Sequence, residues 1–318
     1  MSINTNNIKS FAKQARLILL EGVSSKLSFW GFDTKGNNTI APQTTAGGYS
    51  FRGEVYTDTQ TPQKWQLLKS KIKDAQTYND IVEQAAYTWF NRLIAIKILE
   101  ENKYIEPQLA YEKDFASPAI LLNAKRGKHN IKSKPEKELL EKYLLEDDDE
   151  RAFAMLITHF CNNHPLIKSI FGKIDDYTEI LLPKNLLIND GFLHLLNSNA
   201  IEPKEYKEVE LIGWLYQFYI SDKKDEVFKG FKKNKKARPE DIPAATQIFT
   251  PKWIVKYMVE NTVGKIYLEY NPSSSLKDTM KYLVKNDADN DSNTSPIITD
   301  LIQLSRRHRF VKYITCIF

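Results

Sequence analysis

Cysteine is nearly missing: positions 161 and 316 are the two that 318 residues contain. That excludes a disulfide framework and makes a reducing compartment the default. Glycine, at 12 residues, is too sparse for a loop-built or low-complexity chain. Long apolar runs are also lacking. The longest, such as Ala152 to Ile157, fall far short of the ~20 residues that cross a bilayer. The stretch Met1 to Ser10 is polar and has no apolar core of a secretory signal. A soluble, cytoplasmic protein without a membrane partner is expected. Neither charge sign dominates, with 45 Lys and Arg against 40 Asp and Glu and a pI of 8.8. A net charge of +5 permits a polyanionic partner without demanding one, so its distribution matters more than its sum.

What is present is helical periodicity. Ile8, Phe11, Ala12, Ala15 and Leu19 recur at helical spacing and predict a first helix from about Asn6 to Glu21. Gly31, Gly36, Gly47, Gly48 and Gly53 then mark a long loop able to carry a short hairpin. No Lys-Ser or Lys-Thr pair closes a phosphate-binding loop there. From Pro62 to Glu101 the pattern is helical with a break near Thr77. Val82, Ala86, Trp89, Leu93 and Ile96 line one side, and Phe90, Ile94 and Ile98 another, which places this helix inside a bundle. Arg92 on it then needs a partner, because a buried charge is costly alone. Ala124 to Lys134 reads as a loop, followed by helices over Glu136 to Leu145 and Arg151 to Phe160. Weaker helical signals cover Leu166 to Phe171 and Leu186 to Leu196, with a short strand near Thr178 to Leu182. Glu205 to Ile220 is a further helix, rich in aromatics.

Three clusters invite chemical readings. His159, Cys161 and His164 lie close together, but a structural zinc site needs four ligands and no second pair stands at suitable spacing. Asp287, Asp289 and Asp291 imitate a calcium loop that fails at Ser292, where glycine is needed, and at Ile298, where glutamate is needed. No metal is expected. The run Lys223, Lys224, Lys229, Lys232, Lys233, Lys235, Lys236 and Arg238, broken only by Asp225 and Glu226, has two readings. It neutralises DNA phosphates, or it is a solvated linker marking a domain boundary. Trp214 and its aromatic neighbours could stack on bases, though their spacing favours core packing.

The run from Ile242 to Val255 carries most information. Its Gln247, Phe249, Thr250 and Pro251 open an amphipathic helix whose stripe is Ile254, Met258, Thr262 and Ile266. Thr is a good cap and Pro suits the first helical position. A helix start also offers unpaired N–H groups and a positive dipole end to a carboxylate. Thr250 and Pro251 alone favour the plainer reading, a well-made helix start and no more. The pattern resembles the first cofactor motif of gamma-class adenine methyltransferases. Leu215 to Ser221, Lys223 to Phe228, Phe90 to Lys97 and Val259 to Gly264 are similar to the adenine-specific DNA methyltransferase family of BREX phage-defence systems. Such stretches in the right order are specific, and the resemblance runs from about Asn7 to Glu269.

That resemblance implies methyl transfer from S-adenosyl-L-methionine (AdoMet) to adenine in DNA, with Gln247, Phe249, Thr250 and Pro251 at the methionine end of the cofactor. It also implies DNA and other BREX components as partners. The family's next motif, an Asp-Pro-Ala-Cys-Gly-Ser-Gly-like turn, does not occur, nor does its Asn- or Asp-Pro-Pro-aromatic tetrapeptide. Asn271-Pro272-Ser273-Ser274 is the nearest text, lacking the second proline and the aromatic. No catalytic residue is therefore assigned. The expectation is a mainly α chain with a helical amino-terminal domain over 1–238. Residues 239–318 would be the opening helix of a truncated Rossmann-like methyltransferase domain, a polar linker and an atypical tail, inactive alone. The alternatives are a non-catalytic DNA- or protein-binding scaffold module of a defence complex, and a decayed product without function.

Overall fold

The computed structural model describes residues 4–284, apart from 113, 114, 237 and 247. The chain forms two compact units, the first ending at Gln247 and the second starting at Ile248. Each is described by itself.

The first unit opens with α1, Thr5–Phe29, capped by the Asn4 side chain accepting from the Asn7 N–H at 3.3 Å. The five apolar residues that predicted this helix are all buried. It runs eight residues beyond the expected end at Glu21, and Gly22 explains the difference. A Cβ at Gly22 would sit 2.1 Å from Asn185 Oδ1 and 2.8 Å from Pro183 Cβ, so glycine here permits a close approach rather than a stop. The glycine-rich stretch folds into an antiparallel meander of β1 Gln43–Thr45, β2 Gly48–Phe51 and β3 Glu54–Tyr56. Arg52 and Gly53 turn the second hairpin with φ of 52° and 84°, the twist that matches adjacent strands.

α2, Thr61–Lys71, and α3, Ala75–Glu101, are separated at residues 72–74. Thr77, the expected break, instead completes a capping box with Asp74. α3 lies against α1, and the residues assigned to its first side are buried. Arg92 does find partners, but they are not carboxylates. Its guanidinium donates to the Phe171 carbonyl at 2.9 Å and lies 5.3 Å over the Phe171 ring.

The chain continues through α4 Ala119–Lys125, α5 Lys134–Leu145, α6 Asp149–Asn163, α7 Pro165–Phe171, α8 Tyr177–Ile180 and α9 Phe192–Asn197. α4 runs two residues into the loop expected from Ala124, and Gly127, at φ 74°, follows its end. The strand expected over Thr178 to Leu182 is instead the helical turn α8. Its carbonyls are met by indoles rather than by a neighbouring strand. Trp89 Nε1 donates to the Thr178 carbonyl at 3.0 Å and Trp30 Nε1 to the Ile180 carbonyl at 2.8 Å. Trp65 Nε1 donates in turn to the Trp30 carbonyl at 3.1 Å. Three buried tryptophans thus join α1, α2, α3 and α8 while satisfying polar groups that burial would otherwise penalise.

α10, Glu210–Tyr219, follows a short 3-10 turn at Glu205–Lys207, so the expected continuous helix is divided. Leu215 and Tyr219 are buried and Trp214 stacks on Phe218, which is packing and not a base-stacking platform. α11, Ser221–Phe231, overturns the linker reading of the basic run's first half. Val227 is its buried anchor. α12, Ile242–Thr246, ends the unit.

The second unit carries α13, Lys252–Val259, a π-helical turn over Glu260–Gly264, and α14, Lys265–Tyr270. Met280 to Val284 folds back over the π turn. The Asn261 side chain donates to the Tyr282 carbonyl and accepts from the Val284 N–H, both at 2.8 Å. The Tyr282 N–H donates to the buried Glu260 carboxylate. Gly264 admits the Met280 methyl, which would lie 2.8 Å from a Cβ. The stretch Val259 to Gly264 is therefore a clamp for its own chain. Among the described residues no helix is long and apolar enough to cross a membrane.

Candidate functional site: an open helix start

Of the four residues expected to hold a cofactor, Gln247 lies outside the described residues. Phe249 is half-buried, Thr250 exposed and Pro251 half-buried. Pro251 is the N-cap itself, with φ −54° and ψ 143°, and not the first helical residue. Its carbonyl accepts from the Ile254 N–H at 3.0 Å and the Val255 N–H at 3.2 Å. Thr250 stands one position outside, so its hydroxyl does not cap the helix. The physical reason lies in the proline ring, which fixes φ while leaving ψ extended, an ordinary cap geometry. The hydroxyl thus remains at the surface beside the positive end of a helix.

The rest of α13 is unusual for its exposure. None of its residues is buried, and Trp253, Val255, Tyr257 and Met258 are 55%, 39%, 45% and 58% exposed. The predicted stripe of Ile254, Met258, Thr262 and Ile266 is periodic in sequence, yet none of these side chains is buried. The π turn that follows re-aims the helix by one residue, and such turns are frequent at functional sites. Glu260 within it is fully buried, and its Oε1 has no hydrogen-bond partner among the described residues.

No group of three or more His, Cys, Asp or Glu that could hold a metal exists among the described residues. Cys161 is buried in α6, while His164 stacks on Phe160. The calcium-like stretch from Asp287 to Ile298 lies outside the described residues. Burial pushes the Cys161 thiol up to about 12, with nearby Arg92 opposing. Held in that direction by burial, the thiol carries far less thiolate near neutral pH than an exposed cysteine does. In a Cys316→Ser chain at pH 8, Ellman's reagent is expected to label the native protein at least about 100-fold more slowly than the urea-unfolded one. Native and unfolded rates within a few-fold of each other would show that Cys161 is accessible.

The basic run divides into anchored and free members. Arg238 donates to Asp241 at 3.1 Å and to Asp80 at 3.2 Å, and Lys223 lies 3.8 Å from Asp241. The Arg238 hydrogen bond holds the Asp241 carboxyl below the usual carboxylate range. Lys229, Lys232, Lys233, Lys235 and Lys236 are exposed, and no ion pair joins them to a carboxylate among the described residues. The run is legible in the sequence, but its partner Asp80, more than 140 residues earlier, is not, because tertiary pairing leaves no local trace.

No family model matches the chain. Two curated relatives do. It is 38% identical over 290 residues to the adenine-specific methyltransferase BrxX of Escherichia coli O9:H4 (strain HS), an alignment covering 89% of this chain. It is 34% identical over 282 residues to the adenine-specific methyltransferase PglX of Lacticaseibacillus casei (strain Zhang), covering 82% of it. The chain spans about 23% of the length of each. Over more than four-fifths of its own residues, then, this chain is a homologue of a segment of the adenine-specific methyltransferases BrxX and PglX.

Proposed function

We propose that the chain is a segment of a site-specific adenine DNA methyltransferase of a BREX phage-defence system, working in the cytoplasm. The observation that carries this reading is the pair of alignments above, each over more than 80% of the chain. Residues 1–238 form the helical domain in this reading, and 239–318 open the methyltransferase domain. When bound, AdoMet supplies the methyl group. The chain's own contribution is to hold the other end of the cofactor. Thr250 offers an exposed hydroxyl, the start of α13 offers a positive dipole end, and half-buried Phe249 and Pro251 offer an apolar border. Gln247 completes the set. An exposed apolar helix whose sequence is amphipathic fits the role of an opening helix laid against a Rossmann-like sheet. The same face also supports a second reading, a non-catalytic scaffold module that docks DNA or other defence components.

Titration calorimetry separates the two. AdoMet is expected to give saturable heat with the 318-residue chain, competed by S-adenosyl-L-homocysteine. Thr250→Val is expected to weaken it ten-fold or more, since a hydrogen bond to a charged group contributes about 1.5–3 kcal/mol. Absence of saturable heat at millimolar AdoMet, or unchanged affinity in the variant, would contradict this placement of the cofactor.

A further inference from the structure

The end of α11 and the turn after it carry more cation than the fold uses. Lys232 N–H closes the helix on the Phe228 carbonyl at 3.1 Å, and Lys233 and Lys235 N–H bond the Gly230 carbonyl at 2.9 and 3.0 Å. Asn234 sits in the left-handed region at φ 59°, the conformation that reverses a chain at a helix C-terminus. The turn is then pinned from its far side by Arg238 on Asp80 and Asp241. A groove of about 860 Å³ opens between this turn and the α1 and α3 residues Leu20, Ser24, Gln76 and Asn79.

Charge in that groove is unevenly spent. Its carboxylates are Asp80, Glu83, Glu226 and Asp241. Asp80 and Asp241 are engaged by Arg238, and Glu83 by Arg16. Lys229, Lys233, Lys235 and Lys236 line the same groove, are exposed, and face only Glu226 as an acid without an ion pair among the described residues. The negative end of the α11 dipole favours cations by about 0.3–1 kcal/mol each within the last turn. That accounts for one or two lysines beside a helix end and not for four around a groove.

We infer that this groove is a docking surface for the phosphate backbone of duplex DNA, an inference that rests on the DNA methyltransferase reading and locates its substrate contact. Charge complementarity argues for the occupant: four exposed lysines around one groove match the closely spaced anions of a polyanion better than a single carboxylate. Lysines are mobile point charges suited to a regular row of anions, whereas Arg238, the one fork-shaped donor here, is consumed internally. Each phosphate neutralised releases counterions, so binding should fall steeply with salt and carry little sequence preference.

The test is fluorescence anisotropy of a labelled 20-base-pair duplex with the full chain, across roughly 50 to 200 mM NaCl. The groove variant K229Q/K233Q/K235Q/K236Q is compared with K128Q/K132Q/K134Q/K137Q, which removes the same charge elsewhere. Both are first matched to the parent by far-ultraviolet circular dichroism and urea midpoint. The expected result is a log–log salt slope shallower by about 3 to 4 in the groove variant, one unit of ~0.9 per lost contact. The control should change it by less than about 1. Equal losses in both variants, an unchanged slope in the groove variant, or equally tight retention of poly-glutamate would overturn the inference. So would failure of the parent chain to bind duplex at 50 mM salt. AdoMet titration is unaffected by any of these, so the methyltransferase reading can stand when the groove assignment falls.

Discussion

Replacing Trp89 by alanine is expected to destabilise the first unit by about 4 to 8 kcal/mol. Trp89 is fully buried, and loss of a large aromatic from a packed core costs about 3–5 kcal/mol. Its indole N–H also holds the Thr178 carbonyl at 3.0 Å, and an orphaned buried acceptor costs about 1–3 kcal/mol more. Set against a typical stability of about 5–15 kcal/mol, the variant would sit near the unfolding threshold. Trp89→Phe keeps most of the volume and loses the donor, so it should cost about 1–3 kcal/mol. Urea unfolding followed by circular dichroism reads both. A loss below 1 kcal/mol in the alanine variant would mean that α3 and α8 are not joined as described.

Breaking the ion pair between α1 and α3 is the second large effect. Arg16 is buried and Glu83 is its carboxylate partner among the described residues. Burial pushes the Glu83 carboxyl up, with Arg16 and Lys223 pulling it back. Glu83→Ala strands a guanidinium away from water, at a cost of about 3 kcal/mol. Arg16→Met with Glu83→Leu removes both charges and should lie within about 1 kcal/mol of the parent, because apolar packing replaces a pair whose desolvation nearly cancels its attraction. A double variant as unstable as Glu83→Ala would show that the pair contributes more than its own repair. Glu83 also borders the lysine-lined groove, so the single substitution should raise that groove's positive charge while weakening the scaffold beneath it.

What could be read from the sequence follows what is local. The buried face of α1 was visible in the spacing of Ile8, Phe11, Ala12, Ala15 and Leu19, and every one of them is buried. The continuation past Glu21 was not, because Gly22 reads as a stop until Asn185 and Pro183 are seen pressed against it. Thr178 to Leu182 reads as a strand because a short apolar run looks alike in either element. Its true partners are indoles on α1 and α3, distant in sequence. The lysines after Ile220 masked a helix whose anchor, Val227, is one residue in a charged field.

The candidate site was legible as text and less so as geometry. The Thr250-Pro251 pair announces a helix start, and a helix begins at Lys252. The cap is Pro251 rather than Thr250, which frees the hydroxyl that the motif is expected to use. Glu260, Asn261 and Gly264 belong to a stretch singled out by resemblance, and the structure gives them work within their own unit: they fasten residues 280–284 across the π turn. Gly264 is the one local hint of that role, a glycine kept inside a helical pattern despite its cost there.

On the proposed function, residues through α14 are an interchangeable part of an adenine methyltransferase. Splicing residues 1–270 into the E. coli relative, in place of its matching stretch, tests that most directly. Adenine methylation of host DNA by the spliced protein, read by long-read sequencing, is the measurement. The expected result is methylation at the sites the unspliced relative modifies, sharply reduced when Thr250→Val is added. A soluble, full-length splice that binds no AdoMet and leaves every adenine unmodified would contradict it.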